Sequence, residues 1–218
     1  WDLPRLWHEV VTGLRLAAGR HGARIMSVGV DTWGVDFSFL GRDGALLGNP
    51  VCYRDARTRG MLAAAERIVP RADIFDATGL QFMEINSLYQ LLAMHKSESS
   101  ILAAADRMLM IPDLFHWLLS GEISNERTNA STTQCFDPRT GDWAFGMLER
   151  FGLHRSIFGP ITSPGVSIGS LRADVAEETG LRGVRVILPG THDTASAVAA
   201  VPAHEPPAAR PDWCYVSL

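Results

Sequence analysis

Val186-Ile187-Leu188-Pro189-Gly190-Thr191-His192-Asp193-Thr194-Ala195-Ser196-Ala197 is the stretch whose reading decides the fold. An apolar run ends in Pro-Gly and passes straight into a small-residue segment of helical character. A strand, a tight turn and a helix start explain that order. Asp193 then falls in the first helical turn, where backbone N–H groups point outward without intrahelical partners. Thr and Asp at such a place commonly cap the helix. Thr191 or Asp193 is therefore a cap, or the carboxylate is held there for chemistry, and the stretch by itself does not choose.

Working outward, residues 166–171 read as a strand, 173–180 as a helix and 184–188 as the strand that feeds the opening segment. Downstream, Pro202, Pro206, Pro207 and Pro211 among small residues mark 201–212 as an exposed connector, and 213–218 begins a new β-like run. At the other end Asp2 is placed to cap a helix, with Pro4 in its first turn and Gly19 and Gly22 closing it. Residues 24–31 and 35–40 then read as a β-meander that continues through a tight turn at Arg42-Asp43-Gly44. The middle is helix-rich: 62–68, 70–79, 88–94, 97–105 and a helix begun by Pro112-Asp113 and stopped by Gly121. A polar, β-branched segment at 127–134, a turn at 137–142 and a helix over 143–151 follow. The mixture indicates an α/β domain with inserted helices.

Composition narrows the function. A net charge of −4, with 20 Lys and Arg scattered among acids, disfavours a nucleic-acid partner, which needs concentrated positive charge. No apolar run approaches the roughly 20 residues that span a bilayer, so no membrane role is expected. Cys52, Cys135 and Cys214 are odd in number and far apart. They form neither a metal spacing nor a disulfide framework, and a reducing, cytoplasmic compartment fits them. The seven histidines show no ligand spacing, which disfavours a protein-held zinc. Dinucleotide, phosphate-loop and serine-hydrolase glycine motifs are all missing, against an NAD-dependent oxidoreductase in particular. The oligomeric state is left open, a monomer being compatible with everything above.

Three further clusters combine polar residues with strand ends or helix starts. Asp31-Thr32-Trp33-Gly34-Val35-Asp36 sets a glycine, which allows close backbone approach, beside a flat apolar ring. Sugars need that mixture, having apolar C–H faces and hydroxyls that demand hydrogen bonds, although a strand bulge with Trp33 in the core would look the same. Tyr53-Arg54-Asp55 with Arg57 could serve hydroxyls or be a capped helix with a surface ion pair. Gln81-Phe82 with Asn86, Tyr89 and Gln90 brings neutral amides and aromatics together, suited to a neutral polyol, with Tyr89 read as core.

These blocks, with Thr128-Asn129-Ala130-Ser131-Thr132-Thr133-Gln134 and Thr191-His192-Asp193-Thr194-Ala195-Ser196-Ala197-Val198, resemble the FGGY carbohydrate kinases of the actin-like ATPase superfamily, in order, over nearly the whole chain. The resemblance implies an actin-like, ribonuclease H-like sugar-binding domain over 1–200, with 213–218 starting a second, ATP-binding domain that is largely absent. It implies ATP-dependent phosphorylation of L-rhamnulose at its C1 hydroxyl, with Mg²⁺ accompanying the nucleotide. Asp193 matches the family's general base, and Gly34, His192, Asp193 and Thr194 match sugar-contacting positions. Trp33 and Tyr53 join them as a flat wall. Gln81 and Phe82 are added from residue chemistry alone. The chain is expected to be cut at both ends and to have little or no kinase activity by itself. Another ketose or polyol kinase of the family, an L-fuculokinase or xylulokinase, is the nearest alternative, and a non-catalytic sugar-binding module is the alternative of another class.

Overall fold

The structure, a computed structural model, describes residues 1–202. Of the expected connector and second-domain start, everything from residue 203 on lies outside the described residues, as do His204 and Cys214. The first helix, α1 (Leu3–His21), begins where Asp2 predicts. The Asp2 carboxylate accepts from Arg5 N at 3.1 Å, and Gly22 at φ 47° ends the helix. Two short strands follow, β1 (Ser27–Val28) and β2 (Phe37–Leu40). The Arg42-Asp43-Gly44 turn reverses the chain, with Leu47 N donating to Phe39 O at 2.9 Å.

The helix-rich middle runs α2 (Met61–Glu66), α3 (Arg71–Thr78), α4 (Ser87–Lys96) and α5 (Ser100–Ala104). A strand that periodicity does not reveal, β3 (Arg107–Met110), leads into α6 (Ile111–Ser120), which Gly121 stops in the left-handed region at φ 81°. Then come β4 (Asn125–Glu126), α7 (Arg127–Ala130), the hairpin β5 (Phe136–Asp137) and β6 (Asp142–Trp143), and α8 (Phe145–Arg150). The polar segment at 127–134 is thus a helical turn with a following bend. The chain finishes with β7 (Ile161–Thr162), β8 (Ser167–Ser170), α9 (Ala173–Thr179), β9 (Arg185–Ile187) and α10 (Asp193–Ala199).

The expected meander is not formed. β1 pairs parallel with β9, which pairs antiparallel with β8, whereas β2 pairs antiparallel with β3 in a separate sheet. The cause lies between the two runs. Asp36 N donates to Gly34 O at 2.9 Å across Val35, whose φ is +66°. That three-residue turn swings the chain from one sheet to the other.

Packing follows the two sheets. Phe37, Phe39, Met108 and Met110 of β2 and β3 meet Leu88 and Leu91 of α4, with Phe136, Trp143 and Leu148 beyond them. Under the parallel pair, Val186 packs with Leu171, Val175 and Val184, covered by Trp7, Leu14 and Ala18 of α1. A third group around Leu109, Leu114 and Phe115 joins the two. Leu88, Leu91, Leu109 and Leu114 are fully buried, each worth about 1.5–3 kcal/mol relative to exposure. These layers fix where the ends of β1 and β9 emerge.

Candidate active site

The parallel pair brings the two most informative motifs together. Ser27 aligns with Arg185 and Val28 with Val186, and the alignment resumes at a bridge between Thr32 and His192. There Thr32 N donates to Thr191 O at 2.9 Å and Asp193 N donates to Thr32 O at 3.0 Å. Gly29 permits the approach, since a Cβ there would stand 2.8 Å from Ile187 O and 3.0 Å from Pro189 Cδ. Trp33-Gly34 and His192-Asp193 therefore leave the carboxyl ends of neighbouring parallel strands, where open α/β sheets form their ligand crevices.

Gly34 is required by its neighbour. A Cβ at that position would lie 2.8 Å from both Cγ2 and Oγ1 of Thr132. Thr132 Oγ1 accepts from Val35 N at 3.0 Å, while Val35 O accepts from Ser87 Oγ at 2.6 Å and Gln90 Nε2 at 3.2 Å. A β-branched residue at positive φ is strained by about 1–3 kcal/mol, and these bonds hold it there. Behind the turn, the buried Asp36 accepts from the indole N–H groups of Trp1 at 2.6 Å and Trp33 at 3.0 Å. Trp33 is thus tethered at its N–H, which leaves its ring as a wall.

A cleft of about 440 Å³ opens at this junction, lined by Trp33, Gly34, Val35, Tyr53, Asn86, Thr132 and the His192-Asp193-Thr194 run, with an apolar strip of Leu80, Met83 and Ile85. Trp33, Gly34, Tyr53, His192, Asp193 and Thr194, separated in sequence, are brought to one place. Gln81 and Phe82 are not. They border a different, open depression with Arg71 and Phe75, and the Arg71 guanidinium covers the Phe82 ring at 3.8 Å. Their expected contact with substrate is corrected accordingly. The Phe82 ring is covered by a guanidinium, and the Gln81 carbonyl accepts from Asn86 Nδ2 at 2.9 Å. Leu80, Met83 and Ile85 were not singled out by residue chemistry, their signal being adjacency to Asn86, and Ser131 and Thr132 stood only within the Thr128–Gln134 block that carries the resemblance.

The capping reading of the opening stretch also changes. The cap position of α10 is His192, with no side-chain cap bond, and Asp193 is the first helical residue. Asp193 Oδ1 accepts from Thr194 N at 2.6 Å and Thr194 Oγ1 at 3.3 Å, and the side chain is 52% exposed. Its Oδ2 accepts from no protein group among the described residues. His192 Nδ1 lies 3.1 Å from Asp193 Oδ1 but off the hydrogen-bonding axis, and so has no hydrogen-bond partner among the described residues. Asn86 Oδ1 is likewise buried without a partner among the described residues. The second cluster divides in two. Asp55 caps a short helical turn by accepting from Arg57 N at 2.9 Å, and Tyr53 faces the cleft. Arg57 is no surface ion pair: its guanidinium reaches inward to Gln90 Oε1 at 2.7 Å. Burial pulls its pKa below the usual range, with Asp55 and Asp36 acting the other way. Tyr89 is core, as read, and burial raises its phenol above the usual range.

A carboxylate with a free oxygen, an aromatic wall, neutral polar groups and an apolar strip thus meet around one crevice. Residues 1–200 match the FGGY family of carbohydrate kinases, N-terminal domain, and the chain belongs to that family. It is 42% identical over 203 residues to a rhamnulokinase of Bacteroides thetaiotaomicron, covering 93% of this chain and 42% of that protein. It is 41% identical over 202 residues to a rhamnulokinase of Halalkalibacterium halodurans, covering 93% of this chain and 43% of that protein. The chain spans about two fifths of the length of these curated relatives. In three dimensions it is similar to a carbohydrate kinase from Novosphingobium aromaticivorans, with a TM-score of 0.78, 25% identity, and coverage of 92% of this chain and 41% of that one. A xylulose kinase from Lactobacillus acidophilus superposes with a TM-score of 0.76 at 18% identity over 83% of this chain and 37% of that one, a likeness of fold alone. The fold is that of the FGGY N-terminal domain, as the resemblance implied.

Proposed function

We propose that this chain is the sugar-binding part of an ATP-dependent carbohydrate kinase that phosphorylates L-rhamnulose at its C1 hydroxyl, with Asp193 as the general base. One observation carries the reading: Asp193 stands half-exposed at the start of α10, with Oδ2 free, on the lip of a cleft walled by Trp33 and Gly34. Phosphoryl transfer depends mainly on positioning and electrostatics. The Asp193 carboxylate accepts the proton of the attacking hydroxyl and aims that oxygen outward. Trp33 and Tyr53 offer faces to the sugar's C–H surface, and Asn86, Thr194 and His192 offer polar partners to its hydroxyls. L-Rhamnulose ends in a methyl group, and the Leu80, Met83 and Ile85 strip suits it better than a terminal hydroxyl. The names of the rhamnulokinase relatives agree with that choice.

ATP supplies the transferred phosphoryl group. Among the described residues no three His, Cys, Asp or Glu side chains gather as a metal site. Magnesium in this reading is carried by nucleotide phosphates and water.

The test is Asp193→Asn in the full-length kinase that carries this domain. Turnover should fall about 10²–10⁴-fold, the usual worth of a general base, while sugar affinity measured by calorimetry stays within about threefold (about 0.7 kcal/mol). Unchanged turnover removes Asp193 from the role. A panel of L-rhamnulose, L-fuculose and xylulose decides the acceptor, and a preference for either of the latter moves the substrate within the family. Sugar binding without nucleotide-dependent turnover in the full-length protein would instead identify a binding module.

A further inference from the structure

Three consecutive backbone N–H groups lead into the Asp193 side chain, and each ends on a different fixed acceptor. Thr191 N reaches Glu126 Oε2 at 3.0 Å, His192 N reaches Thr128 Oγ1 at 3.2 Å, and Asp193 N reaches Thr32 O at 3.0 Å. The last belongs to the β-bridge. The other two trace back to one side chain.

Glu126 is fully buried at the end of β4. Its Oε1 accepts from Thr128 N at 2.9 Å. Its Oε2 accepts from Thr128 Oγ1 at 2.5 Å, Asn129 N at 3.3 Å, Thr191 N at 3.0 Å and Thr191 Oγ1 at 2.7 Å. A threonine hydroxyl carries one proton. Thr128 donates its proton to Glu126, so only its lone pairs face His192 and the hydroxyl is fixed as an acceptor. Glu126 therefore holds Thr191 directly and His192 through Thr128. Asn129 Nδ2 adds a bond to Thr191 O at 3.3 Å.

The plain alternative is that Glu126 merely caps α7. Capping uses two of its donors, Thr128 N and Asn129 N. The remaining three, Thr191 N, Thr191 Oγ1 and Thr128 Oγ1, all serve the segment before Asp193. A shorter, more exposed side chain would cap as well, without the desolvation cost of a buried carboxylate.

We propose that Glu126 is a positioning residue for phosphoryl transfer, clamping the 191–193 backbone so that the Asp193 carboxylate stands where the acceptor hydroxyl must be met. The proposal rests on the reading of Asp193 as general base. A displacement of about 1 Å at a reacting group can cost about a hundredfold in rate, so the clamp has leverage without touching substrate.

The experiment compares Glu126→Gln, Thr128→Val and Asp193→Asn in the full-length kinase, measuring kcat, KM for the sugar and thermal unfolding. A glutamine has the same reach and can keep its carbonyl oxygen on the four donors of Oε2, with its NH₂ set against Thr128 N alone, so it weakens the clamp by removing the negative charge that strengthens those bonds. Glu126→Gln should lower kcat about 3–10-fold, with KM changed less than about threefold. Thr128→Val removes the link to His192 while leaving both backbone cap bonds of Glu126. It should lower kcat about 5–10-fold with a Tm near wild type. If Glu126→Gln does not fold, Thr128→Val decides alone. A Tm loss with wild-type kcat in Glu126→Gln, or wild-type kcat in Thr128→Val, reduces Glu126 to a cap and overturns the proposal. If Asp193→Asn is inactive while both other variants are fully active, only the clamp is refuted. If Asp193→Asn turns over normally, the base reading falls first and the clamp with it.

Discussion

Replacing Gly34 by alanine perturbs the cleft through a single atom. The new Cβ would lie 2.8 Å from Thr132 Cγ2 and Oγ1 and 3.0 Å from Thr132 Cβ. Gly34 is outside the left-handed region, so alanine brings no backbone strain and the clash is the whole effect. Thr132 is not free to swing away, because its hydroxyl donates to Asn129 O at 2.8 Å and accepts from Val35 N at 3.0 Å. Overpacking of this size costs about 1–3 kcal/mol, and in a domain of this length each kcal/mol lowers Tm by about 2–4 °C. The yielding side chain carries the Val35 turn with it, and Trp33, Gly34 and Thr132 all line the cleft. Affinity for L-rhamnulose should therefore fall about tenfold or more, equal to about 1.4 kcal/mol. Thermal unfolding and calorimetry read the two effects separately. Adding Thr132→Ala opens the space, and the pair should show a favourable coupling of about 0.5–3 kcal/mol despite the lost hydroxyl bonds. A Gly34→Ala protein with Tm within about 1 °C of wild type and unchanged affinity, or strict additivity in the double variant, would refute the steric argument.

Two further outcomes follow, one from a buried histidine and one from the apolar strip of the cleft. His116 on α6 is buried, with Nε2 accepting from Val30 N at 3.0 Å. Burial pushes its pKa down to about 4, against an opposing pull from Glu126. The unfolded chain then binds this proton more readily than the folded one. Its contribution is complete above about pH 6.5 and is lost as pH falls toward 4, by up to about 3 kcal/mol. Urea midpoints from pH 7 to pH 4.5 should show this slope flattened in His116→Gln, and an equally steep slope in that variant assigns the acid sensitivity elsewhere. Met83→Gln places an amide on the apolar strip. The kcat/KM preference for L-rhamnulose over a ketose bearing a hydroxyl in place of the methyl should drop about tenfold, and an unchanged ratio removes the strip from specificity.

Local signals carried the reading furthest where they were chemically strong. Asp2-Pro4 starts α1, Gly79 and Gly121 end α3 and α6, and Pro-Gly at 189–190 precedes α10. β3 was missed because Met108-Leu109-Met110 lacks β-branched residues and runs straight into the Ile111-Pro112 helix start. The false meander has another cause. Alternation shows that residues 24–31 and 35–40 are extended but not which partner each takes, and β1 finds its partner at the far end of the domain. The same divide runs through the site. Trp33, Gly34 and Tyr53 stood out by residue type at element ends, Asp193 by its place at a helix start, and His192 and Thr194 through the resemblance to the family. Phe82 misled because an aromatic beside amides looks the same whether sugar or an arginine covers it. Glu126 gave no signal at all. Its importance lies in donors from Thr191, which only the folded chain brings near.

The parallel join of β1 and β9 has an entropic consequence. Trp33 and Asp193 belong to chain segments separated by roughly 160 residues, and closing a loop of that length costs about 4–5 kcal/mol beyond the constant term. That loss is met once, by the sheet and the cores beneath it, when the domain folds. A ligand arriving at the cleft finds its two walls already apposed through Thr32, Thr191 and Asp193 and bears none of it. The small molecule need only displace water and satisfy the polar atoms left waiting at the crevice.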